Sequence, residues 1–285
     1  MKTNLEWKDF EVLATGDGLK LERWKDVHLL RPDPQVIWPG SDAMHNFKGL
    51  NAKYDRIGGG GSWKILKAMP QSWVVSWRDL KFQVKPMGFK HTGLFPEQSV
   101  NWATMIDLIK GANRPIKVLN LFAYTGGATV ACTSAGAVVT HVDSAKNMVE
   151  TAKVNMRLSG LENKPVRYIV DDCKKFVMRE IKRGNKYDAI IMDPPSYGRG
   201  PTGEVWKIEE GIYDLVLLCT QILSQNPLFF LINSYTTGLQ PTVMKNILFR
   251  TIKHIDINKI DCYEVGLPTK EGINLPCGCS AMCVF

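Results

Sequence analysis

The stretch "NLFAYTGGATV" (residues 120–130) decides the fold. An apolar run stops at Phe122, two adjacent glycines follow at Gly126 and Gly127, and small and β-branched residues continue. In a nucleotide-binding α/β protein this is the turn from the first strand into the first helix. The glycines let a backbone pass close to a ligand without a Cβ clash, or let a helix pack tightly on a strand, and the stretch alone leaves both open. Sixteen residues after Gly127, Asp143 ends the next apolar run, "AVVTHVD" (137–143), where a carboxylate can accept hydrogen bonds from ribose hydroxyls. A dinucleotide fingerprint GxGxxG is missing, because Ala128, Thr129 and Val130 follow the glycine pair.

Outward from this turn the chain alternates strand and helix. "IKVLNLF" (116–122), "AVVTHVD" (137–143), "VRYIV" (166–170), "YDAIIMD" (187–193) and "PLFFLINS" (227–234) are short β-branched or aromatic runs. Helical segments such as "AKNMVETAKVNMRLSG" (145–160) separate them, and "PEQSVNWATMIDLIKGA" (96–112) precedes them with apolar residues at helical spacing. Apolar strands alternating with helices predict a parallel sheet covered on both faces. Two final strand-like runs, "KIDCYEVGLP" (259–268) and "CGCSAMCVF" (277–285), have no helix between them and predict an antiparallel hairpin at the sheet edge.

The front of the chain differs. "KLERWKDVHLLRP" (20–32), "SWKILKAMP" (62–70), "SWVVSW" (72–77) and "LKFQVKP" (80–86) are short runs bounded by turn residues, with a hairpin turn expected at Arg78 and Asp79. "GGGGS" (58–62) reads as a flexible hairpin loop. We therefore divide the chain into a small β-rich domain, 1–88, and an α/β domain, 89–285.

Composition narrows the class. With 285 residues and 45% hydrophobic content the chain can bury a core, while no run reaches the roughly 18 apolar residues of a membrane span and no signal peptide is evident. The reading is a soluble cytoplasmic protein with no membrane partner. Seven cysteines, an odd number mostly in apolar segments, fit reduced thiols. "CGCSAMC" (277–283) lacks paired CxxC spacing, so it reads as buried strand and no metal is expected. The net charge of +8 suits a polyanionic partner such as nucleic acid, or merely a solvated basic surface. The basic run "DCKKFVMREIKRGNK" (172–186) is open to the same two readings, and of the five histidines only His91 lies beside a candidate site.

Ligands of open α/β sheets bind at the carboxyl ends of strands. Those ends carry Asn120 to Gly127, Asp143, Asp171 with Asp172, "DPPSYG" (193–198) and "NSYTTG" (233–238). Consecutive prolines beside Asp193 fix φ and remove two donors, a corner that can aim acceptors at a planar substrate or simply make a rigid turn. Tyr197 and Trp206 offer aromatic faces on which an extruded base could stack.

Taken in order, "KHTGLFPEQ" (90–98), "NLFAYTGG", "VDSAKNMVETAKVN", "DDCKKF" and "YDAIIMDPPSYG" resemble the class I S-adenosylmethionine-dependent methyltransferases, in particular bacterial ribosomal RNA large-subunit methyltransferases of the RlmI and RlmK type. The resemblance covers about two-thirds of the chain. It implies a Rossmann-like seven-stranded sheet with an antiparallel C-terminal hairpin, S-adenosyl-L-methionine as cofactor and RNA, ribosomal RNA in the first place, as substrate and partner. By position, Phe122, Tyr124, Thr125, Gly126 and Gly127 would line the methionine end of the cofactor, with Thr92, Gly93 and Phe95 on its approach. Asp143 with Ser144 beside it would take the ribose, Asp172 and Cys173 the adenine edge, and Asp193, Pro194 and Tyr197 the reacting centre.

Two departures matter. The family continues its TGxF segment with Asp-Gln-Arg, whereas this chain has Glu97-Gln98-Ser99 and lacks the arginine. Members that methylate cytosine carbon five carry a cysteine after the fifth strand, where this chain has Tyr235. Nitrogen methylation needs no such thiol, since placement of a lone pair in line with the sulfonium methyl supplies much of the rate. The expectation is therefore base-nitrogen methylation of RNA. A protein or small-molecule methyltransferase, a nicotinamide oxidoreductase and a non-catalytic binding module are the competing classes, and a homodimer is left open.

Overall fold

The computed structural model describes residues 1–58, 60–199 and 205–285. The elements in chain order are β1 (Phe10–Gly16), β2 (Leu19–Trp24), β3 (Val27–Pro32), α1 (Asp42–His45), β4 (Ala52–Ile57), β5 (Gly60–Ile65), β6 (Trp73–Trp77) and β7 (Leu80–Val84). They continue with α2 (Ser99–Gly111), β8 (Lys117–Leu121), α3 (Gly127–Ser134), β9 (Val138–Asp143), α4 (Lys146–Leu158), β10 (Val166–Val170), α5 (Cys173–Arg183) and β11 (Ala189–Met192). The last are β12 (Tyr197–Arg199), β13 (Val205–Lys207), α6 (Ile208–Thr220), β14 (Phe229–Ser234), α7 (Pro241–Thr251), β15 (Ile260–Pro268) and β16 (Asn274–Val284). The chain folds into two units, residues 1–100 with 266–277, and residues 101–265 with 278–285.

The second unit is built on a seven-stranded sheet of order β10-β9-β8-β11-β14-β16-β15. Strands β10, β9, β8, β11 and β14 run parallel, and β16 pairs antiparallel with β14 from Phe229↔Val284 to Ser234↔Cys279. This is the predicted Rossmann-like sheet with its terminal hairpin. The order reverses at β8 and β11, whose carboxyl ends lie side by side at Leu121↔Met192. Every residue of β11 and β14 is buried, as a strand covered on both faces requires. Phe176, Val177, Ile212, Leu215, Val216, Phe230 and Ile232 form the centre of its core.

A buried polar knot ties α2 to the antiparallel edge. Asn101 Nδ2 donates to Asn233 Oδ1 (3.1 Å) and Ser280 Oγ (3.0 Å), Ser280 Oγ donates to Asn233 Oδ1 (2.6 Å), and Tyr263 Oη donates to Asn101 Oδ1 (2.6 Å). Such groups are buried only because they satisfy one another.

The first unit holds a five-stranded sheet of order β1-β2-β3-β4-β5 and a separate β6-β7 hairpin. The run 20–32 is two strands, because Lys25 takes φ +60° and reverses the chain between β2 and β3. The β6-β7 turn falls at Arg78, φ +50°, as expected. The expected loop at 58–62 is largely strand: residues 60–62 pair with β4, and Gly59 lies outside the described residues. Strands β1 ("FEVLATG") and β4 ("AKYDRI") are not among the runs expected from the sequence, although Asp9 with Gly18 and Asn51 with Gly58 flank them. The helix over 96–112 begins with one 3₁₀ turn at 96–98.

At the centre of this unit lies a buried ionic cluster. Arg31 grips Glu22 in bidentate fashion (2.6 and 2.8 Å), and Lys20 reaches Asp33 (3.1 Å) and Glu22 (3.6 Å). Burial alone would raise the Glu22 carboxyl, but Arg31 and Lys20 outweigh it and hold it below its ordinary value. Lys90 Nζ donates to Pro32 O (2.8 Å), and burial, with Lys20 and Arg31 nearby, pushes its ammonium down to about 8. Below pH 8 both states carry the Lys90 charge, but only the native state carries it desolvated, a penalty that fades as pH rises from 8 toward 10.5. Lys90→Met should therefore raise the melting temperature at pH 7, and that advantage should shrink as pH rises through 8 toward 10. A difference independent of pH contradicts this.

Candidate active site

The carboxyl ends of β8, β9, β10 and β11 bring most of the sequence-predicted residues together. After Leu121 the backbone enters the left-handed region three times in five residues: Phe122 at φ +53°, Tyr124 at +50° and Gly126 at +83°. Each non-glycine residue held there costs about 1–3 kcal/mol, so the loop persists only if its surroundings over-determine it. They do. Phe122 N donates to Cys173 Sγ (3.3 Å), Ala123 N to Val142 O (3.0 Å), Tyr124 N to Asp143 Oδ2 (2.8 Å) and Gly126 N to Ala123 O (2.9 Å). Asn155 Nδ2 of α4 donates to Thr125 O (2.8 Å). The sequence pattern marks neither Asn155 nor the Cys173 thiol for these roles.

Asp143 is thus first a clamp. Its other oxygen accepts Ala145 N (2.9 Å) across the turn that exposes Ser144. Burial raises its carboxyl, and the two amides pull in the opposite direction. An ionised carboxylate has about four acceptor sites, so two remain for a ligand diol.

The glycine pair answers a packing demand. A Cβ on Gly126 would lie 2.8 Å from Ala152 Cβ, and one on Gly127 would lie 2.6 Å from Trp102 Cζ2. Close packing is required at both positions, so ligand approach need not be invoked for them. Helix α3 starts at Gly127 with no side chain capping its first turn, which leaves its leading amides as donors for an anion. Behind the loop, Asn120 Nδ2 donates to Thr129 Oγ1 (3.0 Å), which lies 2.9 Å from His141 Nδ1. Burial pushes His141 down to about 3, so it stays neutral.

Asp172 caps α5, accepting Lys175 N (2.8 Å). Cys173 is buried, and its thiol is raised well above its ordinary value by burial. At least three of the six cations in the basic run 172–186 are committed within the fold: Arg179 pairs with Asp171, Arg183 with the fully buried Glu180 (2.8 Å), and Lys186 donates to Gln221 O (2.6 Å). Thr92, Gly93 and Phe95 belong to the first unit. There Thr92 is buried, Gly93 takes φ +90°, and Phe95 meets His91 edge-on at 5.6 Å. Burial, with Arg31 and Lys90, pushes His91 down to about 4. Ser99, where an arginine was expected, is fully buried and accepts the Trp7 indole N–H (3.0 Å).

At the end of β11, Asp193 is half-buried and Pro194 buried, while Pro195, Ser196 and Tyr197 are exposed. The corner does not run on as an irregular loop: β12 pairs with β13 as a small ribbon, with Tyr197 opposite Lys207. Trp206 is not a free stacking face. Its indole N–H donates to Pro195 O (2.7 Å), its ring lies 5.3 Å from that of Phe122, and Gly211 sits beneath it. A Cβ on Gly211 would fall 2.7 Å from Trp206 Cζ3, which accounts for glycine inside α6 despite a helix cost of about 1 kcal/mol. Trp206 therefore spans the proline corner and the Phe122 loop. Ser196 Oγ and Thr236 Oγ1 (2.6 Å) join the corner to the end of β14, where Tyr235 packs on Gly278.

The S-adenosylmethionine-dependent methyltransferase family profile matches residues 37–220. A solved S-adenosylmethionine-dependent methyltransferase from Agrobacterium tumefaciens superimposes with a TM-score of 0.92 at 32% identity, covering 99% of this chain and 92% of that one. One from Streptococcus mutans gives 0.74 at 19% identity over 98% and 76% of the two chains, which speaks for the fold. Ribosomal RNA large subunit methyltransferase I of Photobacterium profundum is 29% identical over 227 residues, 79% of this chain but 53% of that protein. The K/L enzyme of Shewanella frigidimarina is 28% identical over 68% of this chain and 27% of its own length. The chain thus spans about half or less of these curated relatives.

Two variants test the geometry. Asp143→Asn presents an amide donor toward one of two amide donors, and should weaken cofactor binding about tenfold or more by calorimetry while lowering the melting temperature. Gly211→Ala should displace Trp206 and raise the cofactor KM more than it lowers kcat. Unchanged kinetics in Gly211→Ala would show that Trp206 does not support the loop.

Proposed function

We propose that this chain, which belongs to the S-adenosylmethionine-dependent methyltransferase family, methylates a base nitrogen of RNA, with ribosomal RNA the first substrate to try. The observation that carries the nitrogen assignment is the pair of strand ends at the reacting centre: Asp193-Pro194 after β11, and Tyr235 in place of a cysteine after β14. Curated relatives named as ribosomal RNA methyltransferases and the basic charge support RNA.

The residues fit the cofactor. Asp143 keeps acceptor sites for two ribose hydroxyls, the uncapped first turn of α3 can meet a carboxylate, and Phe122 offers an apolar wall backed by Trp206. Bound S-adenosylmethionine supplies an electrophilic methyl on a sulfonium sulfur. Asp193 and the Pro194 carbonyl, both acceptors, orient the attacking nitrogen through its hydrogens and hold its lone pair toward that methyl. Transfer would break the carbon–sulfur bond and leave S-adenosylhomocysteine, and Asp193 or water would take the proton that the methylated nitrogen gives up. The prolines remove competing donors, and the exposure of Tyr197 supports a role for its ring in stacking an extruded base. Asp172 and Cys173 are proposed for the adenine edge. A cytoplasmic location is part of the same proposal. No helix of the described residues is long and apolar enough to cross a membrane.

The test is transfer of labelled methyl from S-adenosylmethionine to unmodified ribosomal RNA, transfer RNA and total protein, beside Asp193→Ala. Label should enter one RNA class as an N-methylated nucleoside and fall by at least about a hundredfold in the variant. Label in protein alone, or as 5-methylcytosine, contradicts the reading.

A further inference from the structure

The β4-β5 ribbon of the first unit carries a concentration of cations that the site does not use. Residues 47–68 hold Lys48, Lys53, Arg56, Lys64 and Lys67 against Asp55 alone, a net +4 in 22 residues and half of the chain's +8. The ribbon is built rather than loose. Strand β5 closes the sheet edge in register with β4, Trp63 donates its indole N–H to Met87 O (2.7 Å), and Tyr54 meets Trp63 edge-on at 5.6 Å. A Cβ on Gly61 would fall 2.4 Å from Asp55 O and 2.6 Å from the Tyr54 ring, so glycine is needed for the strands to close.

On this frame Lys53 and Lys64 stand directly opposite each other, a like-charged pairing that weakens an antiparallel ladder. Asp55 relieves Lys53 (3.0 Å), and Lys67 donates to Lys48 O, but no ion pair among the described residues engages Lys48, Arg56 or Lys64, all exposed. The field reaches inward: Arg56 is among the cations that depress Lys90. The exposed aliphatics do not form a membrane face, because Ile57 lies on the Lys53 side of the ribbon and Ile65 on the opposite side. Trp63 and Tyr54 are spent on each other, so the surface suits phosphates rather than stacked bases.

We infer that the β4-β5 ribbon binds the phosphate backbone of the RNA substrate, independent of base sequence, with the backbone passing around the exposed ribbon so that Lys64 meets phosphates on one side, Arg56 on the other and Lys48 ahead of β4. This rests on the proposed RNA methylation.

The test compares the full chain with the triple variant Lys48→Gln, Arg56→Gln, Lys64→Gln, and with a control of equal charge loss elsewhere, Lys174→Gln, Lys182→Gln, Lys253→Gln. The probes are fluorescent poly(U), a ribosomal RNA transcript, and vesicles containing phosphatidylserine. The ribbon variant should lose affinity for both RNAs about tenfold or more at low salt and flatten the log–log salt slope by about 2, with S-adenosylmethionine binding unchanged and the control near wild type. Equal losses in both triple variants, RNA affinity unmoved by the ribbon variant, or loss of vesicle binding alone would overturn the inference. Ribbon-dependent RNA binding with methyl transfer only to protein would instead overturn the proposed reaction, leaving the phosphate surface in place.

Discussion

Two backbone amides converge on one carboxylate at Asp143, and the candidate site depends on that convergence. Tyr124 N and Ala145 N reach its two oxygens at 2.8 and 2.9 Å, joining the loop after β8 to the loop after β9. The first loop contains two non-glycine residues in the left-handed region, an arrangement of several kcal/mol of local strain. Hydrogen bonds from β9, α4 and α5 over-determine it, so the loop is held in one shape before any ligand arrives. A preorganised seat of this kind spares binding energy that ordering would otherwise consume.

The second constraint is steric. Gly126, Gly127 and Gly211 each sit where a Cβ would meet another residue of the same unit, at Ala152, Trp102 and Trp206 respectively. Together they let α3, α4 and the β12-β13 ribbon close on the loop. Trp206 completes this by holding Pro195 O and the Phe122 ring at once, which links the corner proposed to orient substrate to the loop proposed to hold cofactor.

Much of this was legible from residue pattern. The five parallel strands of the second unit fall within a few residues of their apolar runs, because buried strands must be continuously apolar and their ends change composition abruptly. The positions of Asp143, Asp193 and the glycine turn follow from the same strand ends. What the pattern could not show is side-chain traffic between distant segments. The role of Asn155 depends on a contact 30 residues away from Thr125, and Trp206 looked like a stacking platform because its partners Phe122 and Gly211 are not marked in sequence. Ser99 carried the signal of a missing arginine, but its indole partner Trp7 lies 92 residues earlier. Edge strand β5 was legible only in part: the expected run 62–70 meets it at 62–65 and overshoots it, while its exposed glycine start lacks the apolar pattern that reveals central strands.

If the clamped loop is the cofactor's seat as it stands, a crystal structure of the protein with S-adenosylhomocysteine is the most direct check. Both ribose hydroxyls should then lie on the Asp143 carboxylate, with Phe122 and Tyr124 still at positive φ and the Asp143 bonds to Tyr124 and Ala145 intact. An adenosyl group bound away from Asp143, or a loop that must release those amides to admit it, would contradict a preformed seat.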